Sequence, residues 1–93
     1  MIEACRVHVG GIVQGVGFRL FVYQTARRHA VSGWVRNAAS GVEIHAEGMS
    51  EDVRAFLQEV TENAPAAAQV CSFKESCAAP ERLTGFRIRK TVK

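Results

Sequence analysis

Apolar and polar residues alternate along three short stretches of the chain, and a period of two is typical of half-buried β-strands. The stretches are Cys5–Val9, Trp34–Arg36 and Val42–Gly48. Small and polar residues fill positions 37–41, so the second and third strands are predicted to form a hairpin with a turn at those positions. The pattern therefore predicts three strands before the middle of the chain.

Two other stretches have apolar residues every three to four positions, which is the spacing of an amphipathic helix. The first predicts a helix over Leu20–Ala30, with Gly33 in the segment that ends it. The second helix is predicted to begin with Ser50 as its N-cap and to stop near Asn63. Its apolar stripe consists of Val53, Phe56, Leu57 and Val60.

Two more strands are predicted in the last third of the chain, over Gln69–Lys74 and Gly85–Arg89. Val70 and Phe73 stand three positions apart in the first of them, which indicates a β-bulge. The order is β-α-β-β-α-β plus a C-terminal strand. It predicts an α+β, ferredoxin-like split βαβ sandwich, with an antiparallel sheet, a central pair of first and third strands, and both helices on one face. The edge at which the last strand attaches is left open.

The size and composition of the chain fit one globular unit. It has 93 residues, 47% of them apolar, and we expect residues 1–93 to form a single domain. No apolar run approaches the roughly eighteen residues of a membrane span, and the N-terminus lacks the apolar core of a signal peptide. The cysteines, Cys5, Cys71 and Cys77, form no CxxC pair, which favours reduced thiols. These features predict a cytoplasmic protein without membrane contact.

Positive charge is concentrated in the first half of the chain. Five arginines and no acidic residue lie between Ala4 and Val42. All nine acidic residues except Glu3 lie from Glu43 onward. The formal net charge of +3 is unremarkable, so the informative feature is this uneven distribution of charge.

One of these arginines, Arg19, ends a glycine-rich loop, 10–19, that leads from the first strand into the first helix. Gly15 and Gly17 can adopt positive φ and let successive amides point at one anion, such as a phosphate. A cation at the positive end of a helix, with no acid nearby in sequence, also predicts an anion there. Two alternatives remain for Arg19: it points into solvent, or it pairs with Glu43 or Glu47. The loop matches neither the P-loop nor the dinucleotide fingerprint.

Asn37 is a second candidate, at the end of the short strand that begins at Trp34. In a split βαβ sheet this strand end can lie near the loop that follows the first strand. An amide there can position a water molecule without changing its own charge. The alternative is an ordinary turn asparagine.

Four motifs of the chain together resemble the acylphosphatase family, and the likeness covers nearly the whole length. They are the loop 11–19, which includes VQGVGFR, the segment GWVRN at 33–37, GVEI at 41–44 and FRIR at 86–89. By this resemblance the protein is expected to hydrolyse acyl phosphates without a metal or another cofactor, and to release inorganic phosphate, which is both product and inhibitor. Catalytic roles are implied for Arg19 and Asn37, with Asn37 orienting the attacking water. The phosphate-binding set is implied to be Gln14, Gly15, Val16, Gly17, Phe18 and Arg19.

The chemistry of an acyl phosphate is compatible with this set of residues. The leaving group is good, so positioning and charge stabilisation of a loose phosphoryl transition state supply most of the catalysis. The region of the motifs contains no candidate general base. His8, His29 and His45 show no metal-ligand spacing and are predicted to be surface or boundary residues.

Three alternative functions stay open. The helix start at Phe18–Tyr23 also resembles the N-terminal domain of the hydrogenase-maturation carbamoyltransferases. That likeness implies a carbamoyl phosphate substrate, other domains of a larger chain, and an interface formed by Leu20, Phe21 or Tyr23. A second alternative is an acylphosphatase-like domain that binds without catalysis.

The third alternative is an RNA-binding module, because RRM domains share the ferredoxin-like topology. The chain fails the RNP1 pattern, since Gln14 and Val16 stand at its basic and aromatic positions. The third strand also offers no aromatic platform for bases. We therefore expect no nucleic-acid partner.

Overall fold

The computed structural model describes residues 2–66 and 68–89 of the chain. Within these residues, five strands and two helices follow one another. The elements are β1 (Ile2–Ile12), α1 (Phe18–Arg28), β2 (Ser32–Ala38), β3 (Gly41–Met49), α2 (Ser50–Glu62), β4 (Gln69–Cys77) and β5 (Phe86–Ile88). This order agrees with the predicted β-α-β-β-α-β arrangement and its additional C-terminal strand.

The strands form one sheet with the order β4-β1-β3-β2-β5. The first four pair antiparallel, and the predicted pairing of the first and third strands is confirmed. β5 attaches to the free edge of β2 and runs parallel to it, so the complete sheet is mixed. This parallel pair settles the attachment that the sequence left open.

Both helices pack on the same face of the sheet and contact each other. α1 lies against β2 and β5, whereas α2 lies against β3 and β1. The core between the layers contains alternate strand residues, such as Val7, Val9 and Ile44, together with the helix residue Phe18. The predicted stripe of α2 is buried in it along its full length. The ferredoxin-like class is therefore confirmed.

The strands around the glycine-rich segment are longer than predicted. β1 continues through Gly10 and Gly11 to Ile12, which leaves a loop of only 13–17. A Cβ on Gly10 would lie 2.4 Å from the Ser72 side chain, and one on Gly11 would lie 2.0 Å from the Gln69 carbonyl oxygen. These two glycines therefore serve the close approach of β4.

The bulge indicated by the spacing of Val70 and Phe73 is confirmed. Gly10 lies opposite Ser72, and Gly11 lies opposite Val70, so Cys71 is the additional residue on β4. All three cysteines are free thiols, and burial, followed in importance by the charge of Glu75, raises the pKa of Cys5 to about 11.

The start of α2 differs from the prediction. Ser50 is the first helical residue, and Met49, in an extended conformation, occupies the N-cap position. The reason is that β3 runs into α2 without an intervening loop, so the last strand residue must also be the cap. The end of the helix at Glu62, with Asn63 as C-cap, agrees with the prediction.

The end of α1 also differs, because Ala30 rather than Gly33 closes the helix. Ala30 has a left-handed φ of 56°. The Val31 amide donates to the Ala26 carbonyl oxygen at 3.0 Å, and the Ala30 amide donates to that of Arg27 at 3.5 Å. This pair of bonds is the Schellman motif, whose left-handed position normally holds glycine. Gly33 lies in β2 instead, where a Cβ would be 1.8 Å from the His45 carbonyl oxygen.

Neither helix in the described part of the chain is long and apolar enough to cross a membrane.

Replacing Ala30 by glycine should therefore stabilise the protein. Removing the left-handed strain gains more than the added freedom of the unfolded chain costs, and we expect a net gain of about 0.5–1 kcal/mol. Urea denaturation of Ala30→Gly measures the free energy of unfolding. The matched control, Ala26→Gly in the buried interior of α1, should lose at least about 1 kcal/mol. Equal losses in both variants would contradict this description of the helix end.

Candidate active site

The loop 13–17 turns the chain from β1 into α1 through two left-handed glycines. Gly15 has a φ of 76° and Gly17 a φ of 79°, conformations that cost other residues roughly 1–2 kcal/mol. A Cβ built on either glycine would meet no atom within 4 Å. The two glycines are needed for the backbone conformation, and the space beside them is open to a ligand.

The N-terminus of α1 presents unpaired donors to this space. The first helical bond runs from the Phe21 amide to the Gly17 carbonyl oxygen, at 3.0 Å. The amides of Phe18, Arg19 and Leu20 therefore have no partner inside the helix. No side chain of the described residues caps this end, and its first turn contains no acidic residue. The positive end of the helix dipole is thus left without a negative charge from the protein.

Arg19 adds a full positive charge at the same place. Its side chain is half-buried and forms no ion pair with any residue in the described ranges. The alternative that it pairs with Glu43 or Glu47 is wrong. The carboxylate of Glu43 lies 2.6 Å from the guanidinium of Arg36, and that of Glu47 lies 2.8 Å from the imidazole of His45. A half-buried guanidinium beside unpaired amides is a candidate anion site.

Arg19 and the loop glycines line a cavity of about 210 Å³. Its remaining wall is apolar and includes two exposed side chains, Leu20 and Ile88, which are 52% and 42% exposed. Phe21 and Tyr23, by contrast, pack partly buried against the core. The apolar cluster considered for a domain interface thus reduces to Leu20 at the edge of this cavity.

Asn37 lies inside β2, opposite Val42, and the alternative of a turn asparagine is wrong. The turn of this hairpin consists of residues 39 and 40 alone. The Oδ1 atom of Asn37 is buried and has no hydrogen-bond partner among the residues described. Leaving a buried acceptor unpaired costs about 1–3 kcal/mol. Such an atom is a candidate for binding a water molecule or a substrate group.

Gln14 connects the loop to this hairpin. Its Nε2 atom donates to the carbonyl oxygens of Ala38, at 2.9 Å, and Gly41, at 2.8 Å. The Gln14 side chain is therefore occupied by the hairpin, and only its backbone remains for the predicted phosphate-binding role. The Phe18 side chain is likewise buried in the core, and Val16 packs against it.

Arg19 and Asn37 line two separate cavities rather than a single one. Asn37 borders a space of about 330 Å³ together with Arg36 and Glu43. Ile88, which borders the cavity of Arg19, lies opposite Val35, two residues before Asn37 on the same strand. The Gln14 bonds hold the loop that precedes Arg19 against the end of the strand that carries Asn37.

His45 and Glu47 are buried on the other face of the sheet, and the prediction of His45 as a surface or boundary residue is wrong. Arg6 Nε donates to His45 Nδ1 at 3.4 Å, so His45 Nε2 donates to Glu47. Glu47 also accepts the backbone amides of Glu81 and Leu83, each at 2.7 Å. This carboxylate fastens the segment 78–85 across the sheet.

The pKa of Glu47 follows from these contacts. Burial alone would raise the pKa, but the hydrogen bonds from Glu81, His45 and Leu83 outweigh it and hold the pKa below the ordinary value of 4.5. The sequence did not predict that Glu47 holds the segment 78–85, because His45 and Glu47 lie on the strand face that the alternating pattern assigns to solvent. We call the hydrogen bonds between Glu47 and this segment the Glu47 anchor. Nothing in the local pattern of 78–85 shows that it crosses that face.

Among residues 2–66 and 68–89, no group of three or more His, Cys, Asp or Glu side chains is arranged to hold a metal ion.

Comparison with known proteins shows the family. The acylphosphatase family model matches residues 5–88, and the chain belongs to the acylphosphatase family. An acylphosphatase of Thermotoga maritima is 42% identical over 89 residues, covering 95% of this chain and 98% of that protein. The crystal structure of the acylphosphatase from Bacillus subtilis aligns with a TM-score of 0.87 and 34% identity, over 96% of this chain and 99% of that one.

The chain is also similar to one part of much larger proteins. Carbamoyltransferase HypF2 of Cupriavidus necator is 43% identical over 84 residues, which are 89% of this chain and 10% of that protein. The crystal structure of full-length HypF in a phosphate- and nucleotide-bound form aligns with a TM-score of 0.93 and 35% identity, over 97% of this chain and 12% of that one. The chain thus spans about a tenth of the length of these carbamoyltransferases and nearly all of the acylphosphatases above.

Replacing Glu47 by glutamine should destabilise the fold in a pH-dependent way. A buried carboxylate that accepts three hydrogen bonds is lost, and we expect a cost of about 1.5–3 kcal/mol near neutral pH. Because the folded-state pKa is lowered, this stabilisation is complete above pH 4.5 and is lost as the pH falls below it. The difference between wild type and Glu47→Gln in urea denaturation should therefore shrink in acid.

The control for this experiment is Glu62→Gln, since Glu62 is exposed at the end of α2 and accepts a hydrogen bond from the Gln58 side chain. It should leave the free energy of unfolding nearly unchanged at every pH. A Glu47→Gln variant as stable as wild type near pH 7 would show that the hydrogen bonds of Glu47 do not hold the segment 78–85 in place.

Proposed function

We propose that the protein hydrolyses acyl phosphates to a carboxylate and inorganic phosphate, and that the loop 13–17 and the start of α1 bind the phosphate. The observation that carries this proposal is the half-buried Arg19, without an ion pair in the described ranges, at an uncapped helix N-terminus. Membership of the acylphosphatase family supports the reaction class. The substrate is thus a small molecule, with phosphate as product and inhibitor.

In this proposal the phosphoryl group is held by charge and backbone donors together. The amides of 15–19 point toward its oxygens, and the Arg19 guanidinium donates two parallel hydrogen bonds. These groups are in place before the reaction, so they stabilise the charge that develops on the oxygens at no cost in reorganisation. Positive charge from Arg19 and the helix end serves the purpose that a metal ion serves in other phosphoryl-transfer sites, and no step requires a metal.

The role proposed for Asn37 is to orient the attacking water. Its unpaired Oδ1 accepts a hydrogen bond from the water, which attacks phosphorus in line with the bond to the acyl oxygen. That P–O bond breaks, the carboxylate leaves with the electron pair, and the proton of the water remains on the phosphate or passes to solvent. Because a carboxylate is a good leaving group, the reaction needs no side chain as general acid.

A second candidate function is the processing of carbamoyl phosphate as one domain of a larger protein. The alignment with HypF at a TM-score of 0.93 favours it, as does the exposed Leu20 beside the cavity. The same loop would bind the phosphate, and a partner domain would contact Leu20. The two candidates share one chemistry and differ in the acyl group.

The roles of Arg19 and Asn37 predict different kinetic effects of mutation. Arg19→Lys cannot reproduce the bidentate contact, so phosphate inhibition should weaken together with turnover. Asn37→Ala removes a contact to the water only, so kcat should fall by ~10²–10³ while phosphate inhibition stays near that of wild type. Phosphate release from benzoyl, acetyl and carbamoyl phosphate measures both effects.

Two controls accompany this experiment. Arg27→Lys changes an exposed arginine at the far end of α1, and Asn63→Ala changes an exposed asparagine after α2; both should keep wild-type kinetics. Circular dichroism checks that each variant is folded. Normal turnover in folded Asn37→Ala would refute the water-positioning role, and unchanged phosphate inhibition in Arg19→Lys would refute the phosphate contact.

The kcat/KM values of the wild-type protein for the three substrates distinguish between the two candidate functions. A kcat/KM for carbamoyl phosphate well above that for the other two favours the carbamoyltransferase domain. Equal or higher values for benzoyl phosphate favour a general acylphosphatase. No hydrolysis of any of them would leave a domain that binds without catalysis.

A further inference from the structure

Five arginines lie on the opposite face of the sheet from Arg19, around Trp34 and the segment 78–85. Arg6 and Arg36 form ion pairs with Glu43 or Glu81. The other three, Arg82, Arg87 and Arg89, form no ion pair with any residue in the described ranges.

These three arginines line one cavity of about 440 Å³ between β5 and the segment 82–85. Among the described residues, none with an acidic side chain borders this cavity. Thr84 adds a hydroxyl that has no hydrogen-bond partner in the described part of the chain. The volume lies within the usual range for small-molecule sites. The positive charges of these three guanidinium groups repel one another, and an anionic ligand bound between them would offset this repulsion.

The fold holds these arginines in place rather than leaving them on a free loop. Glu47 binds the backbone amides on both sides of Arg82, which itself has a left-handed φ of 57°. Arg87 lies directly opposite Trp34 in the parallel pair of β2 and β5. The guanidinium carbon of Arg89 lies 4.6 Å from the centre of the Trp34 ring. The cations are thus presented by a fixed strand and an anchored segment, as in a preformed site.

We propose that this cavity is a second anion site, which binds a small ligand with two or more neighbouring phosphate groups. A single phosphate carries about −1.5 to −2 charge near neutral pH and would leave part of three positive charges unbalanced. Guanidinium groups favour phosphate oxygens because they donate two hydrogen bonds in parallel. A diphosphate therefore matches the charge and the donors of this cavity better than a single phosphate does.

The same cavity is poorly suited to single-stranded nucleic acid. Such ligands are bound through bases that stack on exposed aromatic rings. Trp34 is only 3% exposed, because it stacks on His45 and is covered by the guanidinium groups of Arg6, Arg36 and Arg89. The donors that remain accessible are charged groups, which favours a compact polyanion.

This site is separate from the candidate active site. Arg87 and Arg89 lie on the face of β5 that carries Trp34, whereas α1 and its N-terminal loop lie on the other face. Ile88, between the two arginines, is the residue that borders both cavities. Binding at the two sites can therefore be followed through different amides.

Titration of the ¹⁵N-labelled chain with inorganic pyrophosphate, followed by amide NMR, tests the proposal. Amides of Gly33, Thr84 and Gly85 should shift along a binding curve that differs from that of amides 15–20. Arg82→Gln and Arg87→Gln should each weaken the first curve about 10- to 100-fold, as expected for a lost hydrogen bond to a charged group, and leave the second unchanged. Neither side chain makes a contact that the fold requires, and unchanged shifts at 15–20 show that each variant is folded.

Lys74→Gln is the matched control, because it removes one exposed positive charge from β4, at the opposite edge of the sheet from β5. It should leave both curves unchanged. The proposal is overturned if Gly33, Thr84 and Gly85 do not shift in wild type, or if Lys74→Gln weakens their curve as much as Arg87→Gln does. It is also overturned if a short single-stranded RNA shifts the same amides at lower concentration than pyrophosphate.

Discussion

The two hydrogen bonds of Gln14 determine how the parts of the candidate active site are arranged. The loop that carries the anion donors and the strand that carries Asn37 are far apart in sequence, and Gln14 joins them by donating to Ala38 and Gly41. Both acceptors lie next to the two-residue turn of the hairpin, so one side chain fixes the loop and the strand end together. Arg19 is the second residue of the helix that follows this loop. Its position relative to Asn37 therefore depends on the Gln14 contacts.

The distribution of ion pairs is the second constraint, because the carboxylates near the sheet are taken by other partners. Glu43 pairs with Arg36, Glu47 with His45, and Glu59 with His29. Glu75 and Glu3 both pair with Arg54. Arg19 is left without an acid on the helix face, and Arg82, Arg87 and Arg89 are left without one on the other face, among the residues described. Unbalanced charge held in a fixed position favours binding of an anion.

Local patterns predicted most of the fold because they reflect burial. Alternation identified the inner faces of β1 and β3, and the stripe from Val53 to Val60 identified the buried side of α2. The differences arise where distant parts of the chain decide the local conformation. Asn37 belongs to a strand because β3 pairs with it, and β5 attaches parallel to β2 through contacts that no local pattern encodes. His45 is buried because the segment 78–85 crosses the sheet, which Glu47 makes possible.

The candidate site also combines features that the local sequence predicted with features that depend on distant contacts. The sequence predicted the positive φ of Gly15 and Gly17 from residue type, whereas it left open whether Arg19 pairs with an acidic residue. Gln14 was assigned to the phosphate set as a residue, and local reasoning did not predict that the hairpin occupies its side chain, because that contact spans 24 residues. The unpaired Oδ1 of Asn37 is a property of the packed structure alone.

The central claim is that an anion binds at the loop before α1, and titration of the chain with inorganic phosphate, followed by amide NMR, tests it most directly. The account predicts that the largest shifts fall on the amides of 15–19 and that the side-chain amide of Asn37 responds with the same dissociation constant. Largest shifts elsewhere, including those at Thr84 and Gly85 on the opposite face, would contradict the account.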